Sequence, residues 1–228
     1  MKPRERRRAQ TEAAIIEASI QLLREHGLEG LTIARIARAI DYTPGALYRY
    51  FPSKDAIIAE LHRRFVTDFE DELQEQLACL PQNIPAISPL LLAAQTYATF
   101  ARAHPTRFRL LAIGLADPRM LVSREAGLAA LPAYLSLYAL LSKLFFDALA
   151  AGALHTEVPV HDLTLAYVLA LQGPLQAHKL QAHAPPTFQT DHLSQQVAEA
   201  LLHGWGADPT SLSRAHTVLQ EKAAESSR

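Results

Sequence analysis

The chain has 228 residues, of which 49% are hydrophobic and 20% are charged, and this composition fits a globular protein of one or two domains. A single cysteine, Cys79, excludes an internal disulfide and a four-cysteine zinc site. The N-terminal sequence MKPRERRRAQ is far too polar for a secretory signal. Together these features predict a protein of the reducing cytoplasm.

The net charge of −1 hides an uneven distribution. Residues 1–64 contain 12 Lys/Arg and 8 Asp/Glu, a balance of +4, whereas residues 65–228 contain 10 and 15, a balance of −5. A basic N-terminal part on an acidic body suits a protein that presents one end to a polyanion such as DNA.

Residues 1–10 carry five basic side chains against a single acid, Glu5. Two interpretations are open: a solvated, frayed terminus, or a basic arm that contacts phosphates or an adjacent minor groove. The arm residues of the second interpretation are Arg6, Arg7 and Arg8. The first helix is predicted at about residues 11–26, with Gly27 as its C-terminal cap.

Residues 32–51 have the pattern of two short helices joined by a tight turn. Thr32 and Thr43 are candidate N-caps, and Pro44 suits the first position of the second helix. Leu47 and Phe51 are four residues apart, so both face inward and leave donor-rich neighbours exposed. This pattern predicts a helix-turn-helix, whose second helix can enter a DNA major groove.

The run TPGALYRYFPSKDAII resembles the signature of TetR-type repressors, and the resemblance covers residues 6–64. It implies an all-α protein with a three-helix DNA-binding domain at residues 1–64. Residues 65–228 would then form a helical regulatory domain with a ligand pocket and a dimer interface. The sequence departs from the family at Asp41, where a left-handed Gly is usual. Asp tolerates that conformation better than most residues, so an intact turn is expected.

The resemblance and the exposed pattern together predict the DNA contacts. Phosphates are expected at Tyr48 and Lys54, assisted by Thr32 and the basic arm. Bases are expected at Tyr42, Thr43, Gly45, Arg49 and Tyr50, with Arg49 the best candidate to bind a guanine.

A fourth helix, from Ser53 to about Leu80, links the two predicted domains. Its apolar positions continue from Ile57 and Leu61 to Leu73 and Leu77, so it is expected to pack in both domains. The body then follows as helices at about 90–103, 106–115, 123–152, 160–182 and 191–205. The polar residues after Gly206 are expected to form a frayed or loosely docked tail. Lys143 and Asp147 interrupt the most apolar stretch, which favours a helix of a soluble protein over a membrane span.

No enzyme motif is present in the sequence: there is no GxSxG elbow, GxGxxG turn or phosphate loop. None of the ten histidines are three or four residues apart, as a helical ligand pair requires. We expect no catalytic activity, metal or cofactor. A ligand sensor without operator control and an all-helical enzyme are the weaker alternatives to a transcriptional regulator.

In the resembled family, the body encloses a cavity for a small effector. The candidate pocket residues are Tyr97, Phe100, Tyr134, Tyr138 and Gln172, although core packing explains most body aromatics equally well. Since few unpaired charges are present, an apolar or aromatic effector is favoured. By the resemblance, it would release a repressor from DNA by tilting the fourth helix.

The segment LTLAYVLALQGPLQAHKL is apolar nearly all round and therefore needs two buried faces. Pro174 is expected to kink this helix. A second stripe repeats every four residues on the next helix, at Leu193, Val197, Leu201 and Trp205. These helices predict a homodimer that binds a near-palindromic operator, and a single extended core within a monomer is the alternative.

Overall fold

A computed structural model of the protein describes residues 2–108, 110, 123–176 and 190–226, and these residues are mostly helical and contain no strand. The helices are α1 (Pro3–Gly30), α2 (Ile33–Ala39), α3 (Pro44–Leu47), α4 (Lys54–Ala78), α5 (Ser88–Ala103), α6 (Arg124–Ala150), α7 (Val160–Gln176), α8 (Thr190–Gly204) and α9 (Pro209–Ser226). Residues 105–108 and 110 are also helical, whereas the rest of the helix predicted at 106–115 lies outside the described residues. The all-α fold class is confirmed.

The chain forms two compact units. The N-terminal unit comprises Met1–Thr67 and His104–Tyr134, and the C-terminal unit comprises Asp68–Ala103 and Leu135–Arg228. Helices α4 and α6 each contribute residues to both units. The division predicted at residue 64 remains a prediction.

The N-terminal unit has one apolar core that α1, α2, α3 and the first half of α4 share. Its most deeply buried members include Ile15 of α1, Ile36 of α2, Leu47 of α3 and Ile57 of α4, each with 0% exposure. Because each of the four helices contributes to this core, the core fixes α3 against its neighbours.

The C-terminal unit is built around α5, whose residues are buried along most of its length. The Tyr167 hydroxyl of α7 donates a hydrogen bond to the Leu90 carbonyl of α5 at 2.7 Å. Burial raises the pKa of Tyr167 far above its ordinary value, so this buried phenol stays a donor. Phe145 of α6 packs edge-on against Tyr167, with ring centroids 5.5 Å apart.

Two predictions about the ends of the chain are wrong. The first helix begins at Pro3 instead of near residue 11, so the basic arm is helical and not frayed. Residues after Gly206 form α9, in which Leu212, Ala215 and Leu219 are buried. The Lys222 ammonium of α9 donates to the Gln76 carbonyl of α4 at 2.7 Å. The predicted tail is therefore a docked helix.

Helix α6 is long and apolar enough, by length and composition, to cross a membrane, and 22% of its most apolar window is buried. Single core helices of soluble proteins have the same character. Its charged residues Lys143 and Asp147 form an ion pair on the exposed surface.

Candidate nucleic-acid interface

The turn between α2 and α3 has the geometry expected from the sequence. Asp41 has a φ of 57°, the only positive φ of a non-glycine residue in the described part of the chain. The turn closes through a hydrogen bond from the Tyr42 amide to the Ala37 carbonyl at 2.9 Å. The prediction that Asp41 adopts the left-handed conformation and keeps the turn intact is confirmed.

Short polar side chains begin each helix of this region. The Thr32 hydroxyl accepts from the Arg35 amide at 3.3 Å, and the Thr43 hydroxyl accepts from the Ala46 amide at 3.2 Å. Both caps are as predicted, and Pro44 occupies the first turn of α3. Since Thr32 and Thr43 are also exposed, each hydroxyl keeps a donor for DNA beyond its capping role.

The recognition segment, residues 44–51, consists of α3 and the turns that follow it. Leu47 is fully buried and Phe51 is 8% exposed. The Tyr50 and Phe51 amides both donate to the Leu47 carbonyl, at 2.8 and 3.0 Å. As predicted, these two anchors hold Tyr48 and Arg49 outward, and Tyr48 is 53% exposed.

Gly45 lies on the same exposed side of the recognition segment. A Cβ built on Gly45 would meet no atom within 4 Å, and its φ is not positive. Neither packing nor backbone conformation in the folded chain therefore demands a glycine here.

Tyr42 and Tyr50 are half-buried and pack against the core of the N-terminal unit. Their rings meet edge-on, with centroids 6.3 Å apart. The Arg8 guanidinium lies over the Tyr50 ring, 5.9 Å from its centroid. Sequence patterns grouped both tyrosines with the base-reading residues, and they did not indicate this packing.

Lys54 is tied to the end of α1. Its ammonium donates to the Leu28 carbonyl at 3.2 Å, and the side chain is half-buried. An ammonium has three donors, so a phosphate contact remains open to it. The structure therefore adds a helix-capping role to the phosphate role that the sequence predicted.

Positive charge is concentrated on exposed residues at the start of α1 and on α2. Exposed arginines of α1 and α2 include Arg4, Arg6, Arg7, Arg8, Arg35 and Arg38. The sequence predictions omitted Arg35 and Arg38, although their three-residue spacing on a helix was a usable signal.

In α4, by contrast, Glu60 pairs with Arg63 and Arg64, both at 2.7 Å. Burial works to raise the pKa of the Glu60 carboxyl, but hydrogen bonds and charges from the two arginines outweigh it and lower the pKa. Glu60 thus offsets one of the two positive charges that Arg63 and Arg64 carry.

The predicted pocket residues fall into both units. Tyr134 belongs to the N-terminal unit, where its hydroxyl lies 3.4 Å from His62 Nδ1. Burial raises the Tyr134 pKa to about 12. The other four candidates, Tyr97, Phe100, Tyr138 and Gln172, belong to the C-terminal unit.

Among those four, Tyr97 and Phe100 share one ring neighbour. Phe69 lies 5.3 Å from Tyr97 and 5.6 Å from Phe100, between ring centroids. Tyr138 is half-buried, and Gln172 is 6% exposed. Gln172 Oε1 is buried and has no hydrogen-bond partner in the part of the chain that the structure describes.

The predicted dimer residues Leu193, Val197, Leu201 and Trp205 are all half-buried. The Trp205 ring, however, packs within its own unit, with its centroid 5.7 Å from Phe145 and 6.4 Å from Tyr167. On α7, Leu165 and Leu169 are 49% and 59% exposed. These two leucines form the uncovered face that the apolar sequence of this helix indicated, although they were not singled out.

One unit thus contains a helix-turn-helix with exposed arginines, and the described residues of the second unit are mostly helical. Residues 15–61 match the family described as bacterial regulatory proteins, tetR family. The nucleoid occlusion factor SlmA of Haemophilus influenzae (strain PittGG) is 32% identical over 87 residues, which span only 38% of SlmA and 38% of this chain.

Two solved structures extend the similarity of fold to most of the chain. FadR from Bacillus subtilis in complex with stearoyl-CoA has a TM-score of 0.67 at 17% identity, covering 84% of this chain and 98% of that one. RolR in complex with resorcinol has a TM-score of 0.64 at 17% identity, covering 92% and 95%. The family match covers residues 15–61, and the similarity of the remaining residues to these solved structures is one of fold.

Proposed function

We propose that the protein is a cytoplasmic, homodimeric repressor that binds a near-palindromic operator and leaves it when a small, mostly apolar effector binds. The observation that carries this proposal is the recognition segment. Leu47 and Phe51 anchor it in the core, and Gly45, Tyr48 and Arg49 face outward beside exposed arginines.

The DNA contacts divide into two groups. Phosphates are held by Tyr48, Lys54, Thr32 and the helical start of α1. Exposed Arg35 and Arg38 of α2 add positive charge to the same unit. Arg49 is the principal base reader, because its forked guanidinium matches O6 and N7 of guanine and discriminates by ~1–3 kcal/mol. Thr43 and Gly45 approach the bases beside it.

The dimer is proposed to form on α7 and α8. A single recognition segment covers few base pairs, so strong specificity needs two, placed on half-sites about 34–36 Å apart or a multiple of that distance. The apolar surface is supplied by exposed Leu165 and Leu169 and by half-buried Leu193, Val197 and Leu201. Trp205 supports this surface from within its own unit.

The effector is proposed to contact Tyr97, Phe100 and Tyr138, with Tyr134 as a further candidate. Gln172 would orient it, because its buried Oε1 can accept a hydrogen bond from the ligand. Fold similarity to FadR with stearoyl-CoA and to RolR with resorcinol supports a ligand with a large apolar or aromatic part.

Release is proposed to act through α4. Ile57, Ile58 and Leu61 of this helix are buried in the N-terminal unit, and Phe69 and Leu73 are buried in the C-terminal unit. An effector that shifts the C-terminal half of α4 would move the N-terminal half with it. Reversing a 99:1 preference for the DNA-competent state takes about 5.5 kcal/mol of differential affinity.

The test is a selection of duplexes from a random library by the purified protein. The expected product is an enriched near-palindrome whose half-sites are about 10–10.5 base pairs apart, or a multiple of that. Fatty acyl-CoA esters and simple phenols are the first effectors to test for release. A protein that enriches no sequence, while still folded, contradicts the proposed function.

A further inference from the structure

A continuous row of side chains connects the first turns of α1 to the recognition segment. Arg8 lies over Tyr50 at 5.9 Å, and Tyr50 meets Tyr42 edge-on at 6.3 Å between ring centroids. The Tyr42 hydroxyl in turn lies 3.5 Å from the Thr11 hydroxyl, one turn beyond Arg8 in α1. The row therefore begins and ends on α1, and it includes one tyrosine from each side of α3.

Each member of this row is held by a second contact. Arg8 Nε donates to Glu12 Oε1 at 2.8 Å, which fixes the guanidinium along α1. The Thr11 hydroxyl donates to the Arg7 carbonyl at 3.0 Å, and Thr11 is 8% exposed. Tyr42 and Tyr50 rest on the core of the unit. Because each side chain makes two contacts, a change in the position of α1 is expected to shift the residues of the recognition segment that contact it.

We propose that Arg8 is a positioning residue for DNA recognition: by lying over the Tyr50 ring it sets the direction in which the recognition segment presents Tyr48 and Arg49. On this account Tyr42 and Tyr50 align the reading surface instead of reading bases themselves. The inference rests on the proposed function, and it reassigns Arg8 from phosphate contact to alignment of its neighbours.

The structure also explains why α1 can do this. Pro3 and the hydrogen bond from the Lys2 amide to Glu5 Oε2 at 2.9 Å start the helix before the arginines, so Arg8 extends from a formed helix turn. A frayed arm could not have held the guanidinium over a ring. A cation at this distance from a tyrosine centroid is within the range of cation–π attraction.

A phosphate contact and a positioning role predict different effects of replacing Arg8 by lysine. A phosphate contact needs charge, so Arg8→Lys keeps both the affinity and its dependence on salt. A guanidinium that both donates to Glu12 and lies over Tyr50 uses its flat, forked shape, which lysine lacks, so Arg8→Lys keeps at most part of the attraction to the ring. Arg8→Lys therefore separates the roles without removing charge from the surface or disturbing the helix.

The experiment measures binding of wild-type protein, Arg8→Lys, Arg8→Ala and Arg6→Ala to the tightest duplex selected by the wild type. Each is titrated at several salt concentrations, alone and in a Tyr50→Leu background, with helicity checked by circular dichroism. Arg6 is the matched control, because it is an exposed arginine of the same helix turn.

Positioning predicts that Arg8→Lys and Arg8→Ala each weaken binding about five-fold, and that both effects vanish in the Tyr50→Leu background. The salt slope should stay at the wild-type value in Arg8→Lys. Preference at the base pair read by Arg49 should also relax.

Full rescue by Arg8→Lys would overturn the proposal and return Arg8 to the phosphate contacts. So would an Arg8→Ala effect of equal size with and without Tyr50, or no effect at all. Wild-type binding in the same titration tests the proposed function separately, since its absence would overturn both.

Discussion

The two units differ in how complete their functional surfaces are in a single chain. In the N-terminal unit, the caps of α2 and α3 are satisfied, and Tyr48 and Arg49 project from a fixed turn. In the C-terminal unit, Gln172 Oε1 and the hydroxyls of Ser88 and Ser194 are buried without a hydrogen-bond partner in the described residues. Two leucines of α7 are also largely exposed.

On the proposed function, the recognition segment is formed before DNA binds, whereas the effector site and the dimer surface are completed only by their partners. A buried polar group without a partner costs about 1–3 kcal/mol, and a large exposed apolar side chain forgoes a similar gain. The N-terminal unit carries little of this cost around its recognition segment. The C-terminal unit carries it where an effector and a second subunit are proposed to bind.

The largest effect is expected from a substitution that places a charge in the apolar surface of α7. Leu169→Glu should leave the isolated chain folded, because Leu169 is 59% exposed. A charge in the proposed interface should weaken the dimer by at least ~3 kcal/mol and reduce operator binding with it. Sedimentation velocity and a DNA titration measure the two losses.

The matched control is Leu128→Glu, since Leu128 is 56% exposed but lies in the N-terminal unit. It should remain dimeric. A dimeric Leu169→Glu protein with normal operator affinity would place the interface elsewhere.

A smaller effect tests whether the N-terminal surface is shaped for close approach. Gly45→Ala adds a methyl group where no atom of the chain lies within 4 Å. Stability should stay equal or rise by up to ~1 kcal/mol, because alanine favours a helix. Operator affinity should nevertheless fall about ten-fold. Urea unfolding and a binding titration give both values, and unchanged affinity would remove Gly45 from the interface.

The pH dependence of the N-terminal unit is expected to be smaller again. Burial lowers the pKa of His62 below 6.5, and the backbone of Leu110 offsets only part of this effect. The unfolded imidazole therefore binds a proton at a higher pH than the folded one. The free energy of unfolding should fall as the pH drops below 6.5, by at most about 1.4 kcal/mol per pH unit.

Urea unfolding between pH 7.5 and pH 5 measures this slope. His62→Gln should flatten it, whereas the same change at His26, which is exposed, should not. Equal slopes in the wild type and His62→Gln would show that another group controls the dependence.

The smallest expected effect concerns the turn itself. Asp41 is held at a φ of 57°, where glycine has no steric penalty. Asp41→Gly should stabilise the protein by about 0.5–1 kcal/mol, and Asp41→Ala should destabilise it by a similar amount. Thermal unfolding of the pair measures the difference, and the same stability in both variants would mean that the turn carries no such strain.

The sequence predicted the recognition region well because the signals there are local. Thr32, Thr43 and Asp41 act on amides or dihedral angles within four residues of themselves, so their roles can be read from neighbouring letters. The start of α1 had local signals too, in Pro3 and Glu5. Neither interpretation of the arginine run, as a frayed terminus or as a basic arm, made use of these signals.

The contacts that the sequence did not reveal are tertiary. Periodicity cannot show that Lys54 reaches Leu28 or that Trp205 packs on Phe145, because those pairs are far apart along the chain.

Helix α9 is an intermediate case. Asp208 caps it by accepting from the Ser211 amide at 2.8 Å, and Pro209 begins it. This cap signal was present in a segment whose polarity suggested a tail.

The central claim is that the exposed face of the recognition segment reads DNA sequence, and Arg49→Ala tests it most directly. Repeating the duplex selection with Arg49→Ala should relax preference at one base pair of each half-site, a loss of ~1–3 kcal/mol of discrimination, and leave the other positions unchanged. An even loss of affinity across all sequences, with every base preference intact, would contradict the account.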